Sequence, residues 1–248
     1  MAGERQRLDE ALVAGGLAPS RSRARDMILR GSVRVDGRPE GKPARLVGHE
    51  SRLEVNDPAA GYVSRGAVKL LAALDGFGFD PAGSTILDLG ASTGGFTQVL
   101  LDRGAASVIA VDVGHDQLDP KVARDPRVLS LEGLNARELT AETVGHATVD
   151  ALVADLSFIS LKLALPAALG LVAPMGWGVL LVKPQFEVGR ALIGKGGVVR
   201  DAVAVRASVD EIAAWLESQH GWSVVGMRPS PITGGDGNTE FLLGARRG

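Results

Sequence analysis

The sequence predicts an α/β fold: an open, mostly parallel sheet with one reversed strand, preceded by a small α+β domain. After about residue 63, apolar runs alternate with stretches of helical periodicity, which is typical of βαβ units and of a sheet covered on both faces. The length of 248 residues suits one large and one small domain. Residues 56–62 are turn-rich, so we place a linker there, between a first domain of residues 1–55 and a second of residues 63–248.

The first domain is predicted to contain two helices and a small sheet. Leu8 and Leu12 have helical spacing, and Ser20 is the expected N-cap of a second helix that ends at Gly31. The run SVRVDGRP then alternates apolar and polar residues up to Asp-Gly, a hairpin signal, and RLEV supplies a further short strand.

The second domain is predicted to contain seven strands. A helix from Ser64 precedes the run STILDLG, which is followed by SVIAVDV, RVLSLEG, DALVADLS, GVLLVKPQF, WSVVGMRPSP and EFLLGARR. Only the loop ITGGDGNT separates the last two runs, and a loop of this length permits an antiparallel hairpin but not a parallel crossover. The sheet is therefore predicted to end with one reversed strand.

Composition excludes several classes of protein. The chain has no cysteine, which excludes disulfides, thiolate metal sites and cysteine nucleophiles, and its four histidines lack ligand-like spacing, so we predict no metal site. No apolar segment of a secretory signal is present, and no run approaches the ~20 apolar residues of a membrane span. We therefore expect a cytoplasmic protein that does not contact membranes.

Positive charge is concentrated in the first domain. Its residues include 11 Lys and Arg against 8 Asp and Glu, whereas the whole chain has a net charge of −2. This concentration indicates a phosphate-facing surface, with a merely solvated face as the alternative. Seven of the arginines are Arg5, Arg7, Arg21, Arg23, Arg25, Arg30 and Arg34.

The stretch DLGASTGGFT, residues 88–97, is predicted to form a ligand-binding turn between a strand and a helix. Glycines let the backbone pass close to a ligand, and the free amides at a helix start favour polar or negative groups. Three non-glycine residues follow Gly90, which departs from the G-x-G-x-x-G pattern of dinucleotide sites. A simple tight strand-to-helix connection remains the alternative.

Charged residues mark the ends of several predicted strands. Asp112 ends the second strand of the sheet, where an acid can accept both ribose hydroxyls of an adenosine, in NAD and S-adenosylmethionine alike. Asp155 and Lys183 end two later strands. Because the last strand is reversed, Glu240 at its start should lie on the same sheet edge, within reach of Lys69 from the preceding helix.

These motifs resemble those of known families. Lys69, Asp155, Lys183 and Glu240 resemble the Lys-Asp-Lys-Glu tetrad of FtsJ-type ribose 2′-O-methyltransferases, and DLGASTGGFT resembles their S-adenosylmethionine loop. The segment RLDEALVAGGLAPSRSRARDMILRGSVRVDG resembles the small RNA-binding module named after ribosomal protein S4. Together with YVSRGAVKL and KPQFEVGRALIGKGGVVRD, the combination resembles the TlyA family, also labelled hemolysin A, over nearly the whole chain.

The resemblance implies a Rossmann-like class I methyltransferase sheet behind an RNA-binding domain. It implies methyl transfer from S-adenosylmethionine to a cytidine 2′-hydroxyl in ribosomal RNA, with ribosomal subunits as partners and no obligate protein partner. The implied cofactor-binding residues are Asp88, Gly90, Ala91, Ser92, Gly94, Gly95, Phe96 and Asp112. The implied RNA contacts are Arg5, Arg7, Arg21 and Lys42, whereas Arg23, Arg25 and Arg30 are expected to be solvated.

Roles follow for the tetrad. A ribose hydroxyl is a poor nucleophile and must lose a proton, and Lys183 is the candidate base. Asp155 and Glu240 are expected to orient Lys183 and compensate charge, and Lys69 to hold the hydroxyl or the adjacent phosphate. The Gly-rich segment 187–201 is expected to be a substrate-side lid, with a mobile connection as the alternative.

Three competing functions remain at this point. A nicotinamide-dependent oxidoreductase would explain the glycine loop and Asp112 but not the tetrad or the basic first domain. A non-catalytic RNA-binding protein would explain the first domain alone. A membrane-lytic protein, as the hemolysin label suggests, would need a membrane span or a strongly amphipathic basic helix, and the sequence shows neither.

Overall fold

A computed structural model of the protein describes residues 5–248 and contains two compact units, Met1–Ala60 and Gly61–Gly248. The division between them lies at Ala60. Of the residues placed in the linker by the sequence, Asp57 and Ala59 are buried within the first unit.

The first unit consists of two helices and short antiparallel strands. Its elements are β1 (Gln6–Arg7), α1 (Leu8–Ala14), α2 (Arg21–Leu29), β2 (Val33–Val35), β3 (Arg38–Pro39), β4 (Leu46–Val47) and β5 (Leu53–Val55). Strand β2 pairs with both β3 and β5, and β1 pairs with β4.

Local sequence chemistry accounts for these elements. The Ser20 side chain accepts a hydrogen bond from the Arg23 amide and caps α2, as predicted. Asp36 and Gly37 have φ angles of 53° and 76°, the left-handed pair that a tight hairpin between β2 and β3 requires. Leu8, Leu12 and other buried apolar side chains form a core between helices and strands.

The second unit contains a seven-stranded sheet. Its strands are β6 (Thr85–Leu89), β7 (Ser107–Asp112), β8 (Val128–Glu132), β9 (Val149–Ala154), β10 (Val172–Val182), β11 (Trp222–Pro229) and β12 (Phe241–Arg247). Their order is β11-β12-β10-β9-β6-β7-β8. Strand β12 is antiparallel to both neighbours, which confirms the predicted reversed strand. It is not the edge strand, however, because the hairpin inserts it between β10 and β11.

Helices cover both faces of this sheet. They are α3 (Gly66–Phe77), α4 (Gly95–Asp102), α5 (Pro120–Ala123), α6 (Ala141–Val144), α7 (Leu161–Ala164), α8 (Pro166–Leu171), α9 (Pro184–Glu187) and α10 (Ala202–Glu217), with single 3₁₀ turns at Ala136–Glu138 and Arg190–Leu192. Along β6, Ile86 packs in one apolar cluster and Leu87 in the other. With both faces covered, the carboxyl ends of the parallel strands form the edge available for a ligand. None of the helices in residues 5–248 has the length and apolarity needed to cross a membrane.

Candidate active site

Four charged side chains meet at the carboxyl edge of the sheet. Asp155 follows β9, Lys183 follows β10, Glu240 precedes the reversed β12, and Lys69 projects from α3. Lys183 Nζ lies 2.6 Å from Asp155 Oδ1, and Lys69 Nζ lies 3.7 Å from Asp155 Oδ2 and 2.6 Å from Glu240 Oε2. The four residues thus form a chain of alternating charge, Lys183, Asp155, Lys69, Glu240, which we call the charge chain.

The charge chain is largely shielded from water. The side chains of Lys69, Lys183 and Glu240 are less than 10% exposed, and that of Asp155 is 20% exposed. Because a buried charge without a partner costs several kcal/mol, each member requires its oppositely charged neighbour. Their positions are therefore interdependent.

Contacts within the charge chain differ from the expected roles in one respect. Glu240 contacts Lys69, so Asp155 is the carboxylate that orients Lys183. Lys183 Nζ also donates a hydrogen bond of 2.8 Å to Ser157 Oγ, which fixes its direction further. Lys69 is held between the carboxylates of Asp155 and Glu240.

The glycine-rich loop packs tightly against neighbouring backbone. A Cβ atom on Gly90 would lie 2.6 Å from the carbonyl oxygen of Asp155, and its φ of 76° favours glycine as well. A Cβ atom on Gly95 would lie 2.0 Å from Ser64 Oγ. Glycine is thus required at position 90, where the loop passes against the Asp155 backbone, whereas a side chain at position 95 would displace the Ser64 hydroxyl.

Ser92 adopts a backbone conformation that usually belongs to glycine. Its φ is 48°, which costs roughly 1 kcal/mol for a residue with a side chain. Its amide donates to Asp112 Oδ2 at 2.9 Å, and Asp112 Oδ1 accepts from the Gly114 amide at 2.8 Å. Both carboxylate oxygens are thereby oriented, and each retains a lone pair for a ligand.

Two residues predicted to bind the cofactor lie outside the cavities at this edge. The Asp88 side chain is fully buried and accepts a 2.6 Å hydrogen bond from Thr97 Oγ1. Burial raises the pKa of Asp88 to about 7. Gly94, with a φ of 91°, faces Leu118 and Val122. Both residues lie on the interior side of the loop, since β6 and the start of α4 direct them away from the cavities.

Two adjoining cavities of about 300 and 550 Å³ occupy this edge. The smaller is bounded by all four members of the charge chain and by Ala91, Gly95 and Phe96, and the larger by Asp112 and Gln117. Their shared walls are Gly90, Ser92, Asp155, Ser157 and Phe158. An elongated ligand could therefore extend from Asp112 to the charge chain.

Sequence reasoning missed several residues of these walls. Ser157 and Phe158 follow Asp155, and Gln185 and Phe186 follow Lys183. The Gln185 Oε1 atom is buried without a hydrogen-bond partner in the described structure. Both pairs come directly after parallel strands, so the strand-end rule that selected the charged residues could have selected them too.

The predicted RNA-contacting residues are surface residues of the first unit. Arg5 and Lys42 are exposed. Arg7 and Arg21 both bind the carboxylate of Asp9, which is fully buried.

Two other arginines of this unit were expected to be solvated, and the structure contradicts this. Arg23 and Arg30 bind the buried carboxylate of Asp57, with side chains only 13% and 15% exposed. These ion pairs connect α2 and its C-terminal end to Asp57, close to the last residue of the first unit. Arg25 is exposed, as expected.

Comparison with known proteins identifies relatives over the full chain. The FtsJ-like methyltransferase model matches residues 62–247, and the S4 domain model matches residues 6–53. A Mycobacterium tuberculosis protein named 16S/23S rRNA (cytidine-2′-O)-methyltransferase TlyA is 50% identical over 98% of this chain and 90% of its own length. Hemolysin A of Brachyspira hyodysenteriae is 39% identical over 95% of this chain and 98% of its own.

A solved structure leads to the same assignment. A hemolysin-like protein from Streptococcus thermophilus is 37% identical and superimposes with a TM-score of 0.76, covering 99% of this chain and 90% of that one. Sequence and architecture thus agree along both units. The chain belongs to the TlyA family, with an S4 domain followed by an FtsJ-like methyltransferase domain.

Proposed function

We propose that this protein transfers a methyl group from S-adenosylmethionine to the 2′-hydroxyl of a cytidine in ribosomal RNA. The observation that carries the proposal is the buried charge chain beside the glycine-rich loop. The name of the 50% identical relative supports the substrate, and the S4 domain supports RNA binding. A ribosomal substrate also implies that the protein acts in the cytoplasm.

The residues present fit S-adenosylmethionine. Asp112 has oriented lone pairs for the ribose hydroxyls, and the larger cavity is lined by apolar side chains such as Leu134 and Ile159 that suit an adenine. The wall from Gly90 to Phe96 suits the methionine portion, because it leads toward the charge chain. When bound, the cofactor supplies a methyl group on a positively charged sulfur that an oxygen lone pair can attack.

The protein's own residues position the nucleophile and handle its proton. Asp155 and Ser157 fix the direction of Lys183 Nζ. We assign the neutral amine of Lys183, formed when its ammonium group gives a proton to water, as the group that accepts the proton of the 2′-hydroxyl. Lys69 and Glu240 keep the buried charges balanced. Removal of water from this edge strengthens each of these interactions.

The proposal is tested by substituting Lys183. Purified ribosomal subunits are incubated with radiolabelled S-adenosylmethionine, and 2′-O-methylation is mapped on the RNA of each subunit. We expect Lys183→Ala to lower the rate at least about 100-fold, since a positioned base contributes about that much or more, while cofactor and RNA binding persist. Lys121→Ala, an exposed lysine outside the site, is the matched control.

Three outcomes would contradict the proposal or its assignment of the base. Near-normal methylation by Lys183→Ala would exclude this lysine as the base. Absence of methylation by the wild-type protein on either subunit would favour a non-catalytic RNA-binding protein. Thermal stabilisation by NAD in place of S-adenosylmethionine would favour the oxidoreductase.

A further inference from the structure

A buried carboxylate links two arginines on the surface of the S4 domain. Arg7 donates from Nε to Asp9 Oδ1 at 2.9 Å and from Nη2 to Oδ2 at 3.0 Å, and Arg21 donates from Nε to Oδ2 at 3.2 Å. The Asp9 side chain is fully buried, whereas those of Arg7 and Arg21 are 35% and 52% exposed. The hydrogen bonds from Arg7 hold the pKa of Asp9 at about 2.

This geometry places two cations side by side. Nitrogen atoms of both guanidinium groups contact the same Asp9 oxygen, so these atoms lie no more than about 6 Å apart. Two free cations would repel each other at this distance, and the attraction of both to the carboxylate between them offsets that repulsion. Each guanidinium has five N–H donors, so several remain for a ligand after the bonds to Asp9.

The neighbouring arginine cluster shows that burial of a carboxylate alone does not produce such a surface. Asp57 also binds two arginines, but Arg23 and Arg30 are 13% and 15% exposed and are largely covered by protein. The two clusters share their chemistry and differ in the exposure of their arginines. Only the Asp9 cluster can present its donors to a large polyanion.

We propose that Asp9 is a positioning residue that holds Arg7 and Arg21 as one preformed pair for backbone phosphates of structured ribosomal RNA. This inference rests on the proposed RNA-binding function. Planar guanidinium groups bind phosphate oxygens in defined directions, so fixing them before binding reduces the loss of side-chain entropy. Because Asp9 is covered, its negative charge does not meet the phosphates directly.

Glu10 has the opposite role in the same cluster. Its Oε1 lies 3.0 Å from Arg21 Nη1, and its side chain is 42% exposed. Glu10 therefore competes with an incoming phosphate for donors of Arg21 and repels it. Two adjacent acidic residues are thus expected to affect RNA affinity with opposite signs.

The test compares Asp9→Asn with Glu10→Gln in the full-length protein, because both remove one negative charge. Affinity for purified ribosomal subunits is measured over a series of KCl concentrations. We expect Asp9→Asn to weaken binding about five- to tenfold at low salt and to lower the salt slope by about one unit, which corresponds to one lost phosphate contact. Glu10→Gln is expected to bind about twofold more tightly.

Asp57→Asn is the folding control, since it removes the other buried carboxylate. It is expected to melt at lower temperature but to bind subunits within about twofold of the wild type, because its arginines are covered.

If Asp9→Asn is unfolded at the assay temperature, Asp9→Glu replaces it. This variant keeps the negative charge but displaces the carboxylate, and weaker binding to ribosomal subunits is again expected.

The possible results distinguish failure of the proposed role of Asp9 from failure of the RNA-binding function on which it rests. Tighter binding by both Asp9→Asn and Glu10→Gln would show a simple net-charge effect and overturn the proposal. A folded Asp9 variant that binds like the wild type would also overturn it. Failure of the wild-type protein to bind subunits would instead remove the RNA-binding function itself.

Discussion

At the scale of single residues, a carboxylate buried beneath the glycine-rich loop links the stability of this protein to pH. Burial raises the pKa of Asp88 to about 7, opposed by the hydrogen bond from Thr97. The unfolded chain releases this proton at an ordinary aspartate pKa, well below that value. Ionisation of Asp88 therefore lowers the free energy of unfolding. This destabilisation is complete above about pH 7 and absent below about pH 4.

Asp88→Asn is expected to remove this dependence. Between about pH 4 and 7, the Asp88 contribution should lower the wild-type free energy of unfolding by up to about 1.4 kcal/mol per pH unit. The variant should be the more stable protein at about pH 8 and equal to the wild type near pH 4. Urea denaturation across this range measures the difference, and equal pH profiles for the two proteins would refute the assignment.

At the scale of elements, the segment expected to be a lid is anchored at both ends. Near its start, Glu187 accepts hydrogen bonds from Ser160 Oγ at 2.6 Å and from the Leu161 amide at 2.9 Å. Near its end, Asn238 Oδ1 accepts from the Val199 amide at 3.0 Å, and Asn238 Nδ2 donates to the Gly197 carbonyl at 2.9 Å. Any lid movement in this segment must therefore occur between the anchors.

Asn238 couples this segment to the charge chain, because it lies two residues before Glu240. We expect Asn238→Ala to leave the buried Val199 amide without its partner, at a cost of about 1–3 kcal/mol, whereas the carbonyl of the exposed Gly197 can bind water instead. Hydrogen exchange at Val199 should accelerate, and the methylation rate should fall with it. Thr239→Ala, at an exposed neighbour, is the control. Unchanged exchange at Val199 would refute the anchor.

The sequence predicted the secondary-structure elements more accurately than it predicted the contacts between them. Each of the seven strands of the large sheet overlaps a predicted apolar run, because period and turn chemistry are local properties, although β10 begins six residues before its run. Strand order was less accessible: the position of β12 between β10 and β11 depends on pairing between segments far apart in the chain.

At the scale of the whole molecule, the features of the candidate active site and the arginine clusters lie in different units. The large unit contains the two apolar clusters that cover its sheet, as well as the charge chain and both cavities. The small unit contains the clusters around Asp9 and Asp57. Chemistry and RNA recognition are therefore expected to be separable.

A protein of residues 61–248 tests this separation. It is expected to fold and to bind S-adenosylmethionine as the full chain does, because its core and cavities are complete. Affinity for ribosomal subunits should fall by at least about tenfold, and the salt slope should decrease with the lost phosphate contacts. Calorimetry with the cofactor and methylation of subunits measure the two properties. Full methylation by the truncated protein would contradict the division.

The sequence by itself determined which elements form and which charged residues lie at strand ends, since strand period, caps and turn residues act over short distances. Only the tertiary structure decided how these residues pair. It placed Glu240 on Lys69, buried Asp88 behind the loop and distinguished exposed Arg7 and Arg21 from covered Arg23 and Arg30. The reason is physical: burial and ion pairing depend on which distant segments pack together, and no local pattern encodes that packing.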